Sequence, residues 1–481
     1  MKSEDTTTRQ SRMTVLSTGA RQHWAVLVIL TVVFVILAPD VARLGLHGDD
    51  HCFVYASTHH DFRYFVNGSL TVNRRPLYAL AVYHLAKIFH VHEALIHLVQ
   101  FALHIGLCVL LYALCLRLKQ DRGTATACAA FLVVVPLHAQ AVLWFSAWLY
   151  LVGAWAVLIT AYVSIAPKMS GRRRNVIVFI ILFIGAQFCE LTAMIGLGIA
   201  VGIWLTRQQA VTRWRQTMPG WVLGSLCGFG FLKLLRHLSG YSQPLSWDLS
   251  LAKFLGPFRV YLGWTTQGIG LQWLMNHPWV WPGVVVILVV VMVAARRSDH
   301  QRVKQISPLL VPCILATLGG TAPFVFSSYF PVRALYPVAA WMSLTLVILL
   351  YWIFRRAVWV PLLVIVAFSA NATFGVVSAY REARLKQQEY LGDLKQSLPR
   401  WPEQARSICV ENAPSDYGPV SVFKNDWVLS GALAQEYNLD FEPKVYFTDR
   451  YPRCSRASPD ITAIWHPCRR EMEIKLAPSQ S

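Results

Sequence analysis

The sequence predicts an all-α polytopic membrane protein of about 11 transmembrane helices, with a small extracytoplasmic α/β domain at its C-terminal end. Composition is the first reason: hydrophobic residues make up 55% of the 481 residues and charged residues only 14%, whereas soluble proteins carry about 25% charged residues. Spacing is the second reason, because apolar segments able to span a hydrocarbon core of about 30 Å alternate with short Lys and Arg clusters.

The formal net charge of +19 could also indicate a nucleic-acid-binding protein. The basic residues, however, lie in short clusters between apolar segments, where positive-inside topology places them. The chain has no zinc-finger spacing, no Walker loop and no basic-aromatic strand pattern. We therefore expect membrane lipid, and no nucleic acid, as a partner.

Residues 1–22 are polar and basic and predict a cytoplasmic tail, after which a transmembrane domain extends over 23–379. Its first span, 24–41, crosses the membrane outward, so that the polar and acidic loop 44–77 emerges on the outer side. In a bacterium this side is the periplasm and the membrane is the inner membrane. Residues 75–90 have helical periodicity but are short for a span, which favours an amphipathic helix in the interface.

Further apolar segments complete the transmembrane domain, and each predicted inner turn carries Lys or Arg. An aromatic, glycine-rich outer segment, 239–276, interrupts them. The spans after the first are predicted over 92–116, 124–135, 144–166, 175–190, 191–205, 218–238, 279–295, 308–326, 335–354 and 359–377.

From about residue 380 the composition becomes that of a soluble protein, and we expect 380–481 to form the small domain outside the membrane. Strands are predicted over 407–410 and 444–447, and a helix over 427–437. Together these elements predict an α/β domain.

The cysteines agree with this division. Most of the ten lie inside apolar segments, where a thiol behaves as a small hydrophobe. Cys409, Cys454 and Cys468 lie in the C-terminal domain. An extracytoplasmic location would make a Cys454 to Cys468 disulfide plausible, although spacing leaves the pairing open.

The loop 44–77 is the part of the chain around which we expect function to be organised. Asp49 and Asp50 lie just past the end of the first span, and Arg75 opens the next helix. Polar chemistry held against a membrane surface is typical of a functional site. The alternative is that the two carboxylates are solvated loop residues or a helix cap.

Other polar groups are predicted to converge with this loop at the outer ends of the helices. His97, Gln100 and His104 share one helix face and are expected to line a cavity as packing groups rather than as metal ligands. The histidines show no ligand spacing such as HExxH, so no metal site is predicted. The other members of the set are Arg75, His138, Gln140, Glu190, Lys233, Arg236, Arg333 and Tyr336.

Lys233 and Arg236 break the positive-inside trend, because they lie at a predicted outer end. They either snorkel to the interface or meet an anionic lipid head group. Cations and a carboxylate at the membrane boundary suit sugar transfer, since the cations can hold a phosphate leaving group while the carboxylate takes the proton of an attacking hydroxyl. The donor would then be a polyprenyl-phosphate sugar.

Six short motifs follow one another between roughly residues 20 and 380. They read GDDHCFVYA (Gly48–Ala56), RPL (Arg75–Leu77), HLVQFALH (His97–His104), PLHAQAVLWFS (Pro136–Ser146), CELTA (Cys189–Ala193) and RALYPV (Arg333–Val338). In this order they resemble the GT-C class of membrane glycosyltransferases. Within that class, the resemblance is to the protein O-mannosyltransferases and their relatives that carry tetratricopeptide repeats, although the repeats are absent here.

The resemblance implies that the acidic pair supplies the catalytic base, with Asp49 slightly favoured over Asp50. It also implies that Arg333 contacts the donor phosphate with Tyr336 nearby, and that Glu190 organises the pocket or binds the acceptor. Around these we expect donor-phosphate contacts from Arg75, Lys233 and Arg236, and pocket or acceptor contacts from His97, His104, His138 and Gln140.

The leading hypothesis is an inverting glycosyltransferase that moves one sugar from a polyprenyl-phosphate donor to an extracytoplasmic acceptor. Val135, Gln140 and Cys189 depart from the family motifs and leave the acceptor open, with a cell-envelope glycan such as lipopolysaccharide favoured over a protein. Two other functions stay open: a transporter or flippase of a lipid-linked or small solute, and a non-catalytic GT-C-like assembly factor. No definite cofactor is predicted, and a divalent cation stays open.

Overall fold

Helices make up most of the computed structural model, and a small sheet lies near its C-terminal end. The structure describes residues 4–48, 50–62, 75–89, 92–118, 120–135, 139–167, 169–206, 212–238, 300–325, 332–354, 358–417, 420–423, 425–447, 459–466 and 471–477.

The described helices and strands are numbered here in chain order. The helices are α1 (Glu4–Val41), α2 (Asp50–His59), α3 (Pro76–Phe89), α4 (Glu93–Arg117), α5 (Arg122–Val134), α6 (Ala139–Leu143), α7 (Trp148–Ser164), α8 (Gly171–Phe188), α9 (Leu191–Leu205), α10 (Thr212–Gln216), α11 (Met218–Leu238), α12 (His300–Val325), α13 (Tyr336–Phe354), α14 (Trp359–Ser397) and α15 (Asp426–Glu436). The strands are β1 (Ser407–Glu411), β2 (Asp416–Tyr417), β3 (Val420–Ser421), β4 (Lys444–Phe447), β5 (Ile461–His466) and β6 (Glu471–Leu476).

Six of the described helical segments are long and apolar enough to cross a membrane, which indicates a multi-pass membrane protein. A helix occupies every predicted span except 279–295, which lies outside the described residues. The prediction of about 11 spans is not confirmed, because α5 has 13 residues and α9 has 15, against the roughly 20 that cross a bilayer. The six segments are His23–Val41, Glu93–Arg117, Phe145–Ser164, Met218–Leu238, Arg333–Tyr351 and Trp359–Ser397.

Helices α8 and α11 pack closely along a row of glycines. Gly220, Gly224 and Gly228 recur every four residues on α11, and a Cβ atom at any of them would collide with α8. Small residues at this spacing let helix backbones approach each other in a membrane. Gly224 lies against Phe179 and Gly228 against Phe183, so the two helices run parallel and their C-terminal ends lie side by side.

The C-terminal region forms a four-stranded sheet in the order β4-β1-β5-β6. Strand β1 is parallel to both β4 and β5, whereas β5 is antiparallel to β6. The strands predicted near 407–410 and 444–447 and the helix predicted near 427–437 are confirmed as β1, β4 and α15. The sheet region packs on α14 through Tyr390, whose ring contacts Phe423 and Trp465.

Helix α14 connects the membrane helices to this sheet. It is 39 residues long and continues without a break past residue 380, where the composition changes. Helix α15 then packs against α2. Gly431 lies so close to the Cys52 backbone that a Cβ atom there would collide with it, and Gln435 and His51 form two hydrogen bonds of 3.0 Å. The C-terminal region therefore contacts the helix that begins at Asp50.

Cys409 is disulfide-bonded, and its partner lies outside the described residues. Because the other described cysteines form no disulfide, this partner is Cys454 or Cys468, and the predicted disulfide between those two residues is wrong. The described cysteines that form no disulfide are Cys52, Cys108, Cys115, Cys128, Cys189, Cys227 and Cys313.

Candidate active site

Two glycines shape the loop between the end of α1 and the start of α2. Gly45 and Gly48 have φ angles of 68° and 52°, in the left-handed region that other residues disfavour. Neither position has room for a Cβ atom, because Gly45 faces the Arg384 guanidinium and Gly48 faces the Trp144 ring. The two glycines therefore restrict the backbone conformation of the loop, which ends where α2 begins at Asp50.

Asp50 joins this loop to the segment between α6 and α7. The side chain is fully buried, and its carboxylate accepts hydrogen bonds from three backbone N–H groups: His47 at 3.2 Å, Phe145 at 3.2 Å and Ser146 at 2.7 Å. A buried carboxylate needs such donors to replace the water it has lost. Asp49, the favoured candidate for the base, lies outside the described residues.

Three of the predicted site residues form a buried ion cluster. Glu190 Oε2 lies 2.5 Å from Arg236 Nη2, and Glu190 Oε1 lies 3.4 Å from Arg75 Nη2. Arg75 immediately precedes α3, Glu190 lies between α8 and α9, and Arg236 is in the last turn of α11. The parallel packing of α8 and α11 is what brings Glu190 beside Arg236.

The ion cluster carries an excess of positive charge. Both arginine side chains are 7% exposed and that of Glu190 is 23% exposed. Burial raises the pKa of Glu190, but Arg75 and Arg236 outweigh burial and hold this pKa below its ordinary value, and Lys233 acts in the same direction. Glu190 is therefore ionised at neutral pH, and the two guanidinium groups beside it are of the kind that bind an anion such as a phosphate.

Arg333 lies next to the acidic loop. Its guanidinium carbon is 4.2 Å from the centre of the Trp144 ring, and Trp144 immediately precedes the two residues whose N–H groups bind Asp50. The charges of Arg333 and Asp50 both act on the Tyr380 hydroxyl group. A cation that was predicted to contact the donor phosphate is thus close to the start of α2.

Two tyrosines lie near the ion cluster. The charges of Arg333 and Arg75 both act on the Tyr150 hydroxyl group. Tyr78, three residues after Arg75, donates a hydrogen bond of 2.7 Å to the Ser146 carbonyl. Neither tyrosine was among the predicted site residues, although Tyr78 carries a signal in its spacing, since residues three apart share one helix face.

His97 and Gln100 support the loop from the α4 side. Both are buried. His97 Nε2 is 2.7 Å from the Gly45 carbonyl, and Gln100 donates a hydrogen bond of 3.2 Å to the Trp144 carbonyl. These contacts are those of packing groups that hold two backbone segments in place.

His104 and Tyr336 form a second buried pair. Their ring nitrogen and hydroxyl oxygen are 2.6 Å apart, and neither side chain is exposed. The structure therefore places Tyr336 beside His104, and in the described part of the chain it makes no contact with a cation.

The other predicted site residues are only partly described. Lys233 lies one turn before Arg236, with its Nζ atom 5.3 Å from the Phe229 ring. The backbone of Gln140 belongs to α6, but its side chain, like the whole of Asp49 and His138, lies outside the described residues. Among the residues described, no group of three or more His, Cys, Asp or Glu is placed to hold a metal ion.

Comparison with known proteins gives no family for this chain. No protein-family model matches it, and no curated protein matches it significantly.

Proposed function

We propose that this protein is an integral-membrane glycosyltransferase of the GT-C class, which transfers one sugar from a polyprenyl-phosphate donor to an extracytoplasmic acceptor. The observation that carries the proposal is the ion cluster of Arg75, Glu190 and Arg236. Two buried guanidinium groups share one carboxylate there, beside an aromatic segment that is bonded to the acidic loop. Such a site can bind a phosphate leaving group.

The proposed reaction is a single displacement at the sugar. The acceptor hydroxyl oxygen attacks the anomeric carbon of the sugar while the bond from that carbon to the phosphate oxygen breaks, which inverts the configuration. Asp49 takes the hydroxyl proton as general base. The polyprenyl phosphate leaves with the bonding electron pair, and Arg333 and the ion cluster stabilise its negative charge.

Asp49 and Asp50 have separate roles in this mechanism. Three backbone donors already occupy the Asp50 carboxylate, so this residue positions the loop. Asp49 is then the better candidate for the base. Glu190 positions Arg75 and Arg236, because it keeps two like charges together in a buried place.

The disulfide at Cys409 supports an extracytoplasmic location for the C-terminal domain, because disulfides persist in oxidising compartments. With the N-terminal tail in the cytoplasm, this domain would lie in the periplasm of a bacterium. The acceptor that fits this location best is a cell-envelope glycan such as lipopolysaccharide, and a protein acceptor is the alternative.

A transporter or flippase fits the charges less well. Transporters commonly bind their substrates near the bilayer midplane. Among the described residues, the buried charged side chains lie instead near or beyond helix ends; they are those of Asp50, Arg75, Arg174 and Arg236. A non-catalytic assembly factor would need no general base, so its function should survive the loss of the Asp49 carboxylate.

The test compares envelope glycans, by mass spectrometry, from cells that lack the protein and from cells that express the wild type or Asp49→Asn. Deletion and Asp49→Asn should both remove one sugar-sized decoration. Asp61→Asn, a carboxylate change in the same outer loop, is the matched control and should retain it. A full decoration with Asp49→Asn would refute the base, and a lipid-linked intermediate that accumulates on the inner leaflet would indicate a flippase.

A further inference from the structure

A cleft of about 710 Å³ opens beside the loop that leads to Asp50. The end of α1, the start of α4 and the middle of α14 line it, and none of its lining residues belongs to the ion cluster. Its polar lining residues are Arg43, His92, Glu93, Arg384 and Gln388.

Among its described lining residues, the cleft has one positive charge without a negative partner. Arg384 Nη2 pairs with Glu93 Oε2 at 3.1 Å, and these two charges cancel. Asp40, one turn before Arg43, is bonded to Arg381 at 3.4 Å. Arg43 is exposed, and its guanidinium makes no ion pair with any described residue, so it is available for an anionic ligand.

The cleft is also continuous with an apolar surface on α4. Leu95 and Leu98 line it, and Leu95, Val99 and Leu103 are 46%, 40% and 40% exposed. Residues four apart lie on one face of a helix, and α4 is one of the helices able to span a membrane. A ligand with a charged head at Arg43 could thus lay an acyl chain along this strip inside the bilayer.

The loop lies between the cleft and Arg333, the cation assigned to the donor phosphate. Gly45 lines the cleft, whereas Gly48 faces Trp144, on whose ring Arg333 lies. Displacement with inversion requires the attacking oxygen to approach the sugar carbon from the side opposite the leaving phosphate. Two binding sites on either side of a loop that carries the base would meet this requirement.

We propose that the cleft binds the phosphate head group of a membrane amphiphile. We assign this amphiphile as the acceptor, an assignment that rests on the proposed function. The acceptor is then a lipid-anchored glycan that carries a phosphate group. Arg43 supplies charge-assisted hydrogen bonds to the phosphate, and Leu95 and Leu98 contact the start of the acyl chain. Gln388 offers a further donor at the rim of the cleft.

The experiment measures lipid binding to the purified full-length protein by native mass spectrometry. The probes are dioleoyl phosphatidic acid, dioleoylglycerol and inorganic phosphate. The variants are Arg43→Ala, Arg43→Lys and, as the matched control, Arg400→Ala, which removes an exposed arginine outside the cleft. Each is also measured in an Arg333→Ala background, which removes one donor-side cation, while Arg75 and Arg236 are the same in every variant and contribute equally to all of them.

We expect Arg43→Ala to weaken phosphatidic acid binding at least about tenfold, the effect of one lost hydrogen bond to a charged group. Arg43→Lys should retain most of the affinity, and Arg400→Ala all of it. Equal binding by Arg43→Ala and Arg400→Ala would overturn the site. Equal binding of dioleoylglycerol would overturn the phosphate recognition, and inorganic phosphate that binds as tightly as the lipid would overturn the lipid ligand.

The acceptor role has its own readout. With a purified acceptor, Arg43→Ala should raise the acceptor KM and leave the donor KM unchanged. An unchanged acceptor KM would overturn the acceptor assignment while the lipid site stands. A wild-type protein that binds phosphatidic acid normally but transfers no sugar would instead refute the proposed function.

Discussion

At the scale of single residues, the two neighbouring carboxylates of the acidic loop should respond differently to the same substitution. In Asp50→Asn an amide NH₂ group would face backbone donors, and a buried donor left unpaired costs about 1–3 kcal/mol. Asp50→Asn should therefore lower both thermal stability and sugar transfer, whereas Asp49→Asn should abolish transfer and leave stability unchanged. Thermal unfolding in detergent measures this, and a fully stable Asp50→Asn protein would contradict the role of its three hydrogen bonds.

Glu190 should give the protein a defined response to acid. Its pKa in the folded protein is held below the ordinary value of 4.5, so its pairing with the arginines stabilises the fold fully above about pH 4.5. This contribution is lost as the pH falls through the lowered pKa. Unfolding temperatures measured from pH 7 to pH 3 should drop at the acid end for the wild type, and the Glu190→Gln variant should lack that component of the drop. If the unfolding temperatures of the two proteins fall in parallel as the pH is lowered, Glu190 does not stabilise the fold in this way.

The residues of the ion cluster could be singled out from the sequence, since each lies at an outer helix end in the predicted topology. Their pairing could not be predicted, because it depends on the glycine register between α8 and α11. The hydrogen-bond donors to Asp50 could not be predicted either, because Phe145 and Ser146 lie 95 and 96 residues further along the chain. Local sequence patterns carry no information about such contacts.

At the scale of secondary-structure elements, the contact of α15 with α2 should be required for activity. A methyl group at Gly431 would meet the backbone nitrogen of Cys52, and such overpacking costs about 1–3 kcal/mol. Gly431→Ala should therefore displace α2, lower transfer and make the buried Cys52 thiol more reactive, while membrane insertion is retained. Alkylation rates at Cys52, measured by mass spectrometry, report the displacement.

Gly392→Ala is the matched control for this change. A Cβ atom at Gly392 on α14 would meet nothing within 4 Å, and alanine favours a helix over glycine. Activity and Cys52 reactivity should therefore stay at the wild-type level. If Gly431→Ala behaves in the same way, the contact does not position α2.

Gln435 gives the same contact a polar component. Burial lowers the pKa of His51 to about 4, so the imidazole is neutral at physiological pH and its Nδ1–H can donate to the Gln435 carbonyl oxygen. The Gln435 NH₂ group donates in return to the His51 backbone carbonyl. This exchange fixes the orientation of α15 relative to the residue next to Asp50.

The elements themselves were largely predictable from hydropathy. The predicted boundaries of α11, 218–238, agree with the structure, and α4 and α13 differ by a residue or two. The span count was less predictable, because α5 and α9 are helices that are too short to cross a bilayer alone. The composition change at residue 380 also carried no information about α14, because helix-favouring residues continue through 381–397.

At the scale of the whole molecule, the predicted orientation can be tested by thiol labelling of intact cells. In a Cys227→Ser background, which removes an exposed thiol, Glu403→Cys should react with a membrane-impermeant maleimide. Arg172→Cys should react only after permeabilisation, because the basic start of α8 is predicted to be cytoplasmic. Both positions are exposed, so the reverse pattern would overturn the orientation.

The contact between α2 and α15 also sets an order of events during biosynthesis. His51 and Gln435 are 384 residues apart in the chain, and at typical rates of synthesis on the order of half a minute passes between them. Until then the acidic loop lacks the helix that holds it. A chain whose synthesis stops before α15 would therefore be inserted in the membrane with an acidic loop that lacks this support.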